Sequence, residues 1–181
     1  MTITDVDGFQ ASGVASGIKS NDGLDLALVT TEDRKPVSAA GVFTSNKMTA
    51  APVLVTRKHL EITGGAASTV VLNSGNANAA TGDQGFLDAE RMCQLTAQGL
   101  GCESSEVLVC STGWIGYLLP METVAYGIKN AIDSLKDDQG TIAAKAIMTT
   151  DTVPKNTFVK AKGFSVGGIS KGAAMLQPNM A

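Results

Sequence analysis

The chain of 181 residues has few aromatics (4%), a single histidine, three cysteines and no basic excess. Each shortage removes a class of function. Its 14 basic and 17 acidic residues leave a net charge of -3, and no basic run or stripe is present. Attraction to a phosphate backbone therefore has no source, and nucleic acid is not an expected partner. No window approaches the ~18 consecutive apolar residues of a spanning helix, so no membrane partner is expected. The first residues, Met1 to Asp7, carry acids where a secretory signal would carry Lys or Arg before an apolar run, so the expected location is the cytoplasm. Cys93, Cys102 and Cys110 are odd in number and lack C-x-x-C spacing, which points to reduced structural thiols. Zinc needs about four clustered ligands. With His59 as the only histidine, no metal site is expected. His59 follows Arg57-Lys58 in a polar segment and is expected to face solvent. A Ser-His-Asp triad would have to use it, and nothing nearby supports one.

What the chain does have is apolar residues (44%) and 20 glycines, a mix that suits a core of Ala, Val, Ile and Leu with tight turns. Short Val- and Ala-rich runs predict strands at 25–30, 37–44, 51–56 and 68–74, with a turn at Lys35-Pro36. The period then changes. Phe86, Ala89, Met92, Cys93, Thr96 and Leu100 fall on one helical face, and Gly99 with Gly101 marks a stop. A strand is expected at 106–110. Met121, Val124, Ala125, Ile128, Ala131, Ile132 and Leu135 form the stripe of a second helix, with Pro120 suited to its first turn. A short helix is expected over 142–147, and strands at 157–160 and 164–169 pair across Lys162-Gly163. Strands followed by mixed helices and strands predict an α/β fold of layered α+β sandwich type. No repeat or linker divides the chain, so residues 1–181 read as a single unit. Its end, Gln177-Pro178-Asn179-Met180-Ala181, reads as a chain cut inside a fold.

Small polar loops at strand ends are the candidates for chemistry. Cys110-Ser111-Thr112-Gly113 follows a strand. Thr112 offers an O–H there and Gly113 an unobstructed N–H, a pair suited to an oxyanion hole; an ordinary turn is the alternative. Asn73, Asn76 and Asn78 lie in a loop that either lines a substrate or braces a turn. Met148-Thr149-Thr150-Asp151-Thr152 either contacts a polar ligand or ends a helix. Lys171, between glycines, is a point charge for a carboxylate or a solvated surface lysine. Its order Ser170-Lys171 and its spacing do not match a phosphate loop.

In this order these segments resemble the ornithine acetyltransferase family, also called glutamate N-acetyltransferase. The matching stretches are LNSGNANAATG at 72–82, CSTGWIG at 110–116, AIMTTDTVPK at 146–155 and GGISKGAAMLQPNMA at 167–181. GVASGIK at 13–19 and AAGVFTSN at 39–46 are similar to the family's opening. The resemblance implies a self-cleaving fold of N-terminal-nucleophile type. This chain would be its α-chain, Ala181 would precede the scissile bond, and the nucleophilic threonine would begin a β-chain. Thr112 and Gly113 match the oxyanion pair, while Thr149 and Lys171 match substrate-binding positions. The implied reaction is ping-pong acetyl transfer from N2-acetylornithine to glutamate in arginine biosynthesis. It needs no cofactor, and acetyl-CoA enters as a substrate only in the bifunctional variant. The implied assembly is a heterotetramer of two α- and two β-chains. Trp114 and Ala174 depart from the usual residues, a small aliphatic and a glycine. Two other readings stand beside it: a self-processed amidase or aminopeptidase, with the same threonine and oxyanion pair and water as acceptor, and a non-catalytic small-molecule-binding domain.

Overall fold

The computed structural model describes residues 1–173. Its centre is a four-stranded sheet of β1 (Phe9–Val14), β2 (Leu26–Thr31), β5 (Thr69–Asn76) and β6 (Val107–Trp114), in that order. β1, β2 and β5 are antiparallel neighbours, and β5 and β6 run parallel. The parallel step needs a crossover, which α2 (Gly82–Leu100) supplies.

Side-chain alternation divides the sheet between two cores. Leu26, Leu28, Val71, Val107 and Val109 face α1 (Ala51–Ile62), α2 and α3 (Met121–Asp133), where they meet Val55, Met92 and Ile128. Ala11 and Ala27 face the other way, onto Ala143, Ala146 and Ile147 at and beyond α4 (Gly140–Ala146). Small residues on that second face let α4 lie close to the strands: a Cβ on Gly13 would come within 2.7 Å of the Ile142 carbonyl oxygen. The layered α/β architecture matches the expectation. So do α2 and α3; Gly101 ends α2 at φ +74°, and its N–H donates to Ala97 O. A separate hairpin joins β7 (Lys155–Ala161) to β8 (Phe164–Ser170) across Lys162-Gly163, with Gly163 at φ +90°. Among the described residues, no helix is long and apolar enough to cross a membrane.

Three expectations are corrected. Residues 51–56 are the start of helix α1 and not a strand. Pro52 sits in the first turn, where its missing N–H costs nothing, and the helix places Val55, Thr56 and His59 together on the sheet. His59 is consequently buried, 3% exposed. Its Nδ1–H donates to Val107 O at 2.7 Å, and Nε2 lies 3.4 Å from Glu90. Thr56 Oγ1 donates to Val109 O at 2.8 Å and accepts from Val109 N at 3.0 Å. These contacts cover the outer edge of β6, which would otherwise leave its backbone unpaired. The strand expected at 37–44 shrinks to β3 (Val37–Ser38), paired with β4 (Ala66–Ala67). Beyond it Phe43 turns away to lie under the Arg57 guanidinium, 4.9 Å from its ring centroid.

Candidate active site

Strand β6 carries Thr112 and Gly113 beyond the point where the α1–α3 core ends. Thr112 sits beside Ser74 and Gly113 beside Gly75, where a register shift breaks the ladder. Gly113 has φ +136°, and a Cβ there would overlap the backbone of Gly75 and Asn76. Only glycine fits, for both reasons. Two other segments reach the same place. The turn after α4 brings Thr149, and the end of β8 brings Lys171. Lys171 Nζ donates to Thr112 Oγ1 at 2.9 Å and to Thr149 Oγ1 at 2.7 Å. Thr112, Gly113, Thr149 and Lys171 all line one cavity of about 690 Å³. Ala181, Ala174 and the rest of the expected cleavage segment lie outside the described residues.

Asp151 holds this meeting point together without lining the cavity. It is buried and accepts from Thr149 N at 3.2 Å and Gly172 N at 2.7 Å, and it pairs with Lys155. One carboxylate thus fixes the backbone beside both Thr149 and Lys171. The Lys155 ammonium holds its carboxyl well below the usual carboxylate range; burial opposes this, and the Gly172 and Thr149 N–H groups add to it. A carboxyl with a depressed native pKa stabilises the fold above its unfolded value, about pH 3.9, and loses that contribution as pH falls toward the native value. Asp151→Asn is therefore expected to cost about 1–3 kcal/mol near neutral pH. The Tm gap to the wild type should narrow as pH drops below about 4. A gap that is constant from pH 7 to 3 would contradict this assignment.

Asn73 and Asn76 stand at the end of β5 and not in a loop, and only Asn78 lies beyond the strand. Asn73 Nδ2 donates to Asn76 O at 2.8 Å, and Asn78 Nδ2 donates to Gly85 O at 2.7 Å, so both brace the turn. Asn76 alone of the three lines the cavity. Its amide donates to Tyr117 O and Leu118 O, each at 3.1 Å, and it holds the loop after β6. Trp114 and Tyr117 meet edge to face at 5.8 Å and form an aromatic wall. The three cysteines are free; burial pushes the Cys93 thiol far up, which makes it inert.

Sequence reasoning missed Lys19. It lines the cavity and donates to Leu24 O at 2.7 Å and Met148 O at 2.8 Å. Its loop is pinned by fully buried Asp25, which accepts from Ser16 N (2.7 Å), Ser16 Oγ (2.5 Å), Gly17 N (3.0 Å) and Lys19 N (3.0 Å). Burial lowers the Lys19 pKa, Asp25 acts against that, and the Lys171 charge adds to the lowering. The GVASGIK motif was the one available signal, since it ends on this lysine.

The order of these motifs and the convergence of their residues can be set against known proteins. The ArgJ family model matches residues 10–181. The chain belongs to the ArgJ family. It is 49% identical over 181 residues to an arginine biosynthesis bifunctional protein ArgJ of Streptomyces avermitilis, covering 100% of this chain and 46% of that protein. To ArgJ 1 of Clostridium acetobutylicum it is 49% identical over 183 residues, covering 99% of this chain and 44% of the relative. It thus spans just under half the length of these curated relatives. Among solved structures it is similar to an ornithine acetyltransferase of Mycobacterium tuberculosis complexed with ornithine. The TM-score is 0.94 and the identity 44%, with 99% of this chain and 96% of that chain covered. A Bacillus halodurans ArgJ structure gives a TM-score of 0.88 at 37% identity, covering 100% of this chain and 95% of that chain. At these identities the ArgJ fold extends to this chain.

Proposed function

We propose that this chain is the α-chain of an ornithine acetyltransferase, a single unit completed by a β-chain that follows Ala181. The observation that carries the reading is the meeting of Thr112, Gly113, Thr149 and Lys171 in one cavity. A hydroxyl and a glycine N–H beside each other suit an oxyanion hole. A lysine that bridges two hydroxyls suits the recognition of a polar amino-acid substrate.

The chemistry is acyl transfer in two halves. The hydroxyl of the β-chain's first threonine attacks the acetyl carbonyl carbon of N2-acetylornithine. Thr112 and Gly113 donate to the oxygen as it gains charge. The amide C–N bond breaks, the hydroxyl proton passes to the leaving amine, and ornithine departs. The glutamate amine then attacks the acetyl ester, giving N-acetylglutamate and restoring the threonine. No metal or cofactor takes part. Acetyl-CoA serves as a second donor in the bifunctional form. The working enzyme is a cytoplasmic heterotetramer of two α- and two β-chains.

The test begins with the untagged full-length product. Intact-mass and N-terminal sequencing should find two chains in equal amount, the second starting with Thr. The preparation should then move labelled acetyl from N2-acetylornithine to glutamate. Release of acetate to water without transfer would support the amidase reading instead. A lone stable chain that does neither would overturn both. Labelled acetyl-CoA, tried as donor in the same assay, decides the bifunctional form.

A further inference from the structure

We propose that Lys19 is a second carboxylate-binding cation of the cavity, so that the substrate's α-carboxylate sits between Lys19 and Lys171. This rests on the acetyltransferase reading and names the group that the site grips.

The two lysines reach adjacent residues of one short segment and line the same cavity. Lys19 Nζ donates to Met148 O, and Lys171 Nζ donates to the hydroxyl of the next residue, Thr149. The Lys19 stem lies across Gly75: a Cβ there would come within 3.1 Å of Lys19 Cγ. Gly75 in turn abuts Gly113. The Lys19 side chain thus lines the same cavity as Gly75 and Gly113, with its stem beside Gly75. An ammonium has three donors, and two carbonyls take two of them, so one remains for a ligand. Two carboxylates close by are already engaged: Asp25 by its loop, Asp151 by Lys155 and two backbone N–H groups. The walls from this chain therefore present two cations and no open carboxylate among the described residues. Two like charges repel, and Lys19 feels the Lys171 charge. An anion between them removes that repulsion and gains charge-assisted hydrogen bonds.

Both donor and acceptor carry an α-carboxylate, so the loss of Lys19 should affect both. The experiment compares wild type, K19M and K19R as the processed two-chain protein. Lys19→Met should raise KM for N2-acetylornithine and for glutamate by ~10- to 100-fold, with a much smaller change in kcat. Calorimetry with ornithine and with 1,4-diaminobutane, the same diamine without its carboxylate, separates recognition from bracing. The Kd of ornithine should rise ~10- to 100-fold in K19M while that of the diamine stays within about 2-fold. Lys19→Arg should recover most of the affinity. Equal losses for both ligands, or no loss for ornithine, would overturn the proposal and leave Lys19 as a strut between loops. If K19M does not assemble, K19Q is measured in its place. A wild type that binds ornithine without transferring acetyl would refute the acetyltransferase reading alone, and the Kd comparison would still decide the role of Lys19. A wild type that binds neither ligand would overturn both.

Discussion

Thr112→Ala is expected to lower kcat by ~100- to 1000-fold, the usual effect of losing one oxyanion donor. The size follows from placement. Thr112 Oγ1 sits at the end of a strand locked into the sheet, so its hydroxyl needs little reorganisation when charge develops on the substrate oxygen. In the free enzyme it accepts from Lys171, which leaves its own hydrogen available to donate. The substitution removes only the side-chain donor; Gly113 N–H remains, so residual activity above background is expected. Steady-state kinetics with N2-acetylornithine decides the matter. A fall in kcat and kcat/KM together, with KM little changed, marks an interaction made in the transition state. A rise in KM alone would place Thr112 in ground-state binding, and unchanged turnover would remove it from the mechanism.

Asp25→Ala should be the most destabilising single change near the site, costing about 3–5 kcal/mol. Its carboxylate is fully buried and accepts three backbone N–H groups and the Ser16 hydroxyl. Truncation leaves those four donors facing an apolar gap, each costing about 1–3 kcal/mol, less what water can repair. Gly17 is exposed, so water reaches part of the loop, and the total falls below the simple sum. Asp25→Asn keeps the shape but substitutes a donor for one acceptor oxygen, so an intermediate loss is expected. Urea unfolding of the processed protein measures this as a lower midpoint at unchanged m. A loss under about 1 kcal/mol would mean that the loop is held elsewhere. Because the loop carries Lys19, the same variant should also weaken ornithine binding.

Much of this protein follows from local pattern. The apolar stripes of α2 and α3 are periodic within their own windows. The alternation of Leu26, Ala27 and Leu28 assigns opposite faces to neighbouring residues before any partner strand is known. The hydroxyl–glycine step at Thr112 and Gly113, which the proposed function uses as an oxyanion pair, is also legible in two adjacent residues. The ordered motifs then made the family resemblance legible along nearly the whole chain.

The tertiary structure decided whatever depends on residues distant in sequence. APVLVT has the composition of a strand, yet it forms a helix because Arg57 to Ile62 extend it and β6 offers an edge to cover. His59 reads as polar and exposed until that helix turns it onto Val107 O. Lys171 and Thr112 lie 59 residues apart, and no window that short-range periodicity can read spans them. Lys19 and Asp25 fall in a Gly- and Ser-containing loop with no periodic signal. Their importance arises only when one buried carboxylate gathers four donors and turns the lysine toward Met148. Sequence alone therefore determined the periodic helices α2 and α3, the strands around β2, β5, β6, β7 and β8, and the polar residue types at the strand ends, since these depend on neighbours a few positions away. Which of those residues share a cavity was decided by the sheet, because its pairing brings strand ends together regardless of their separation along the chain.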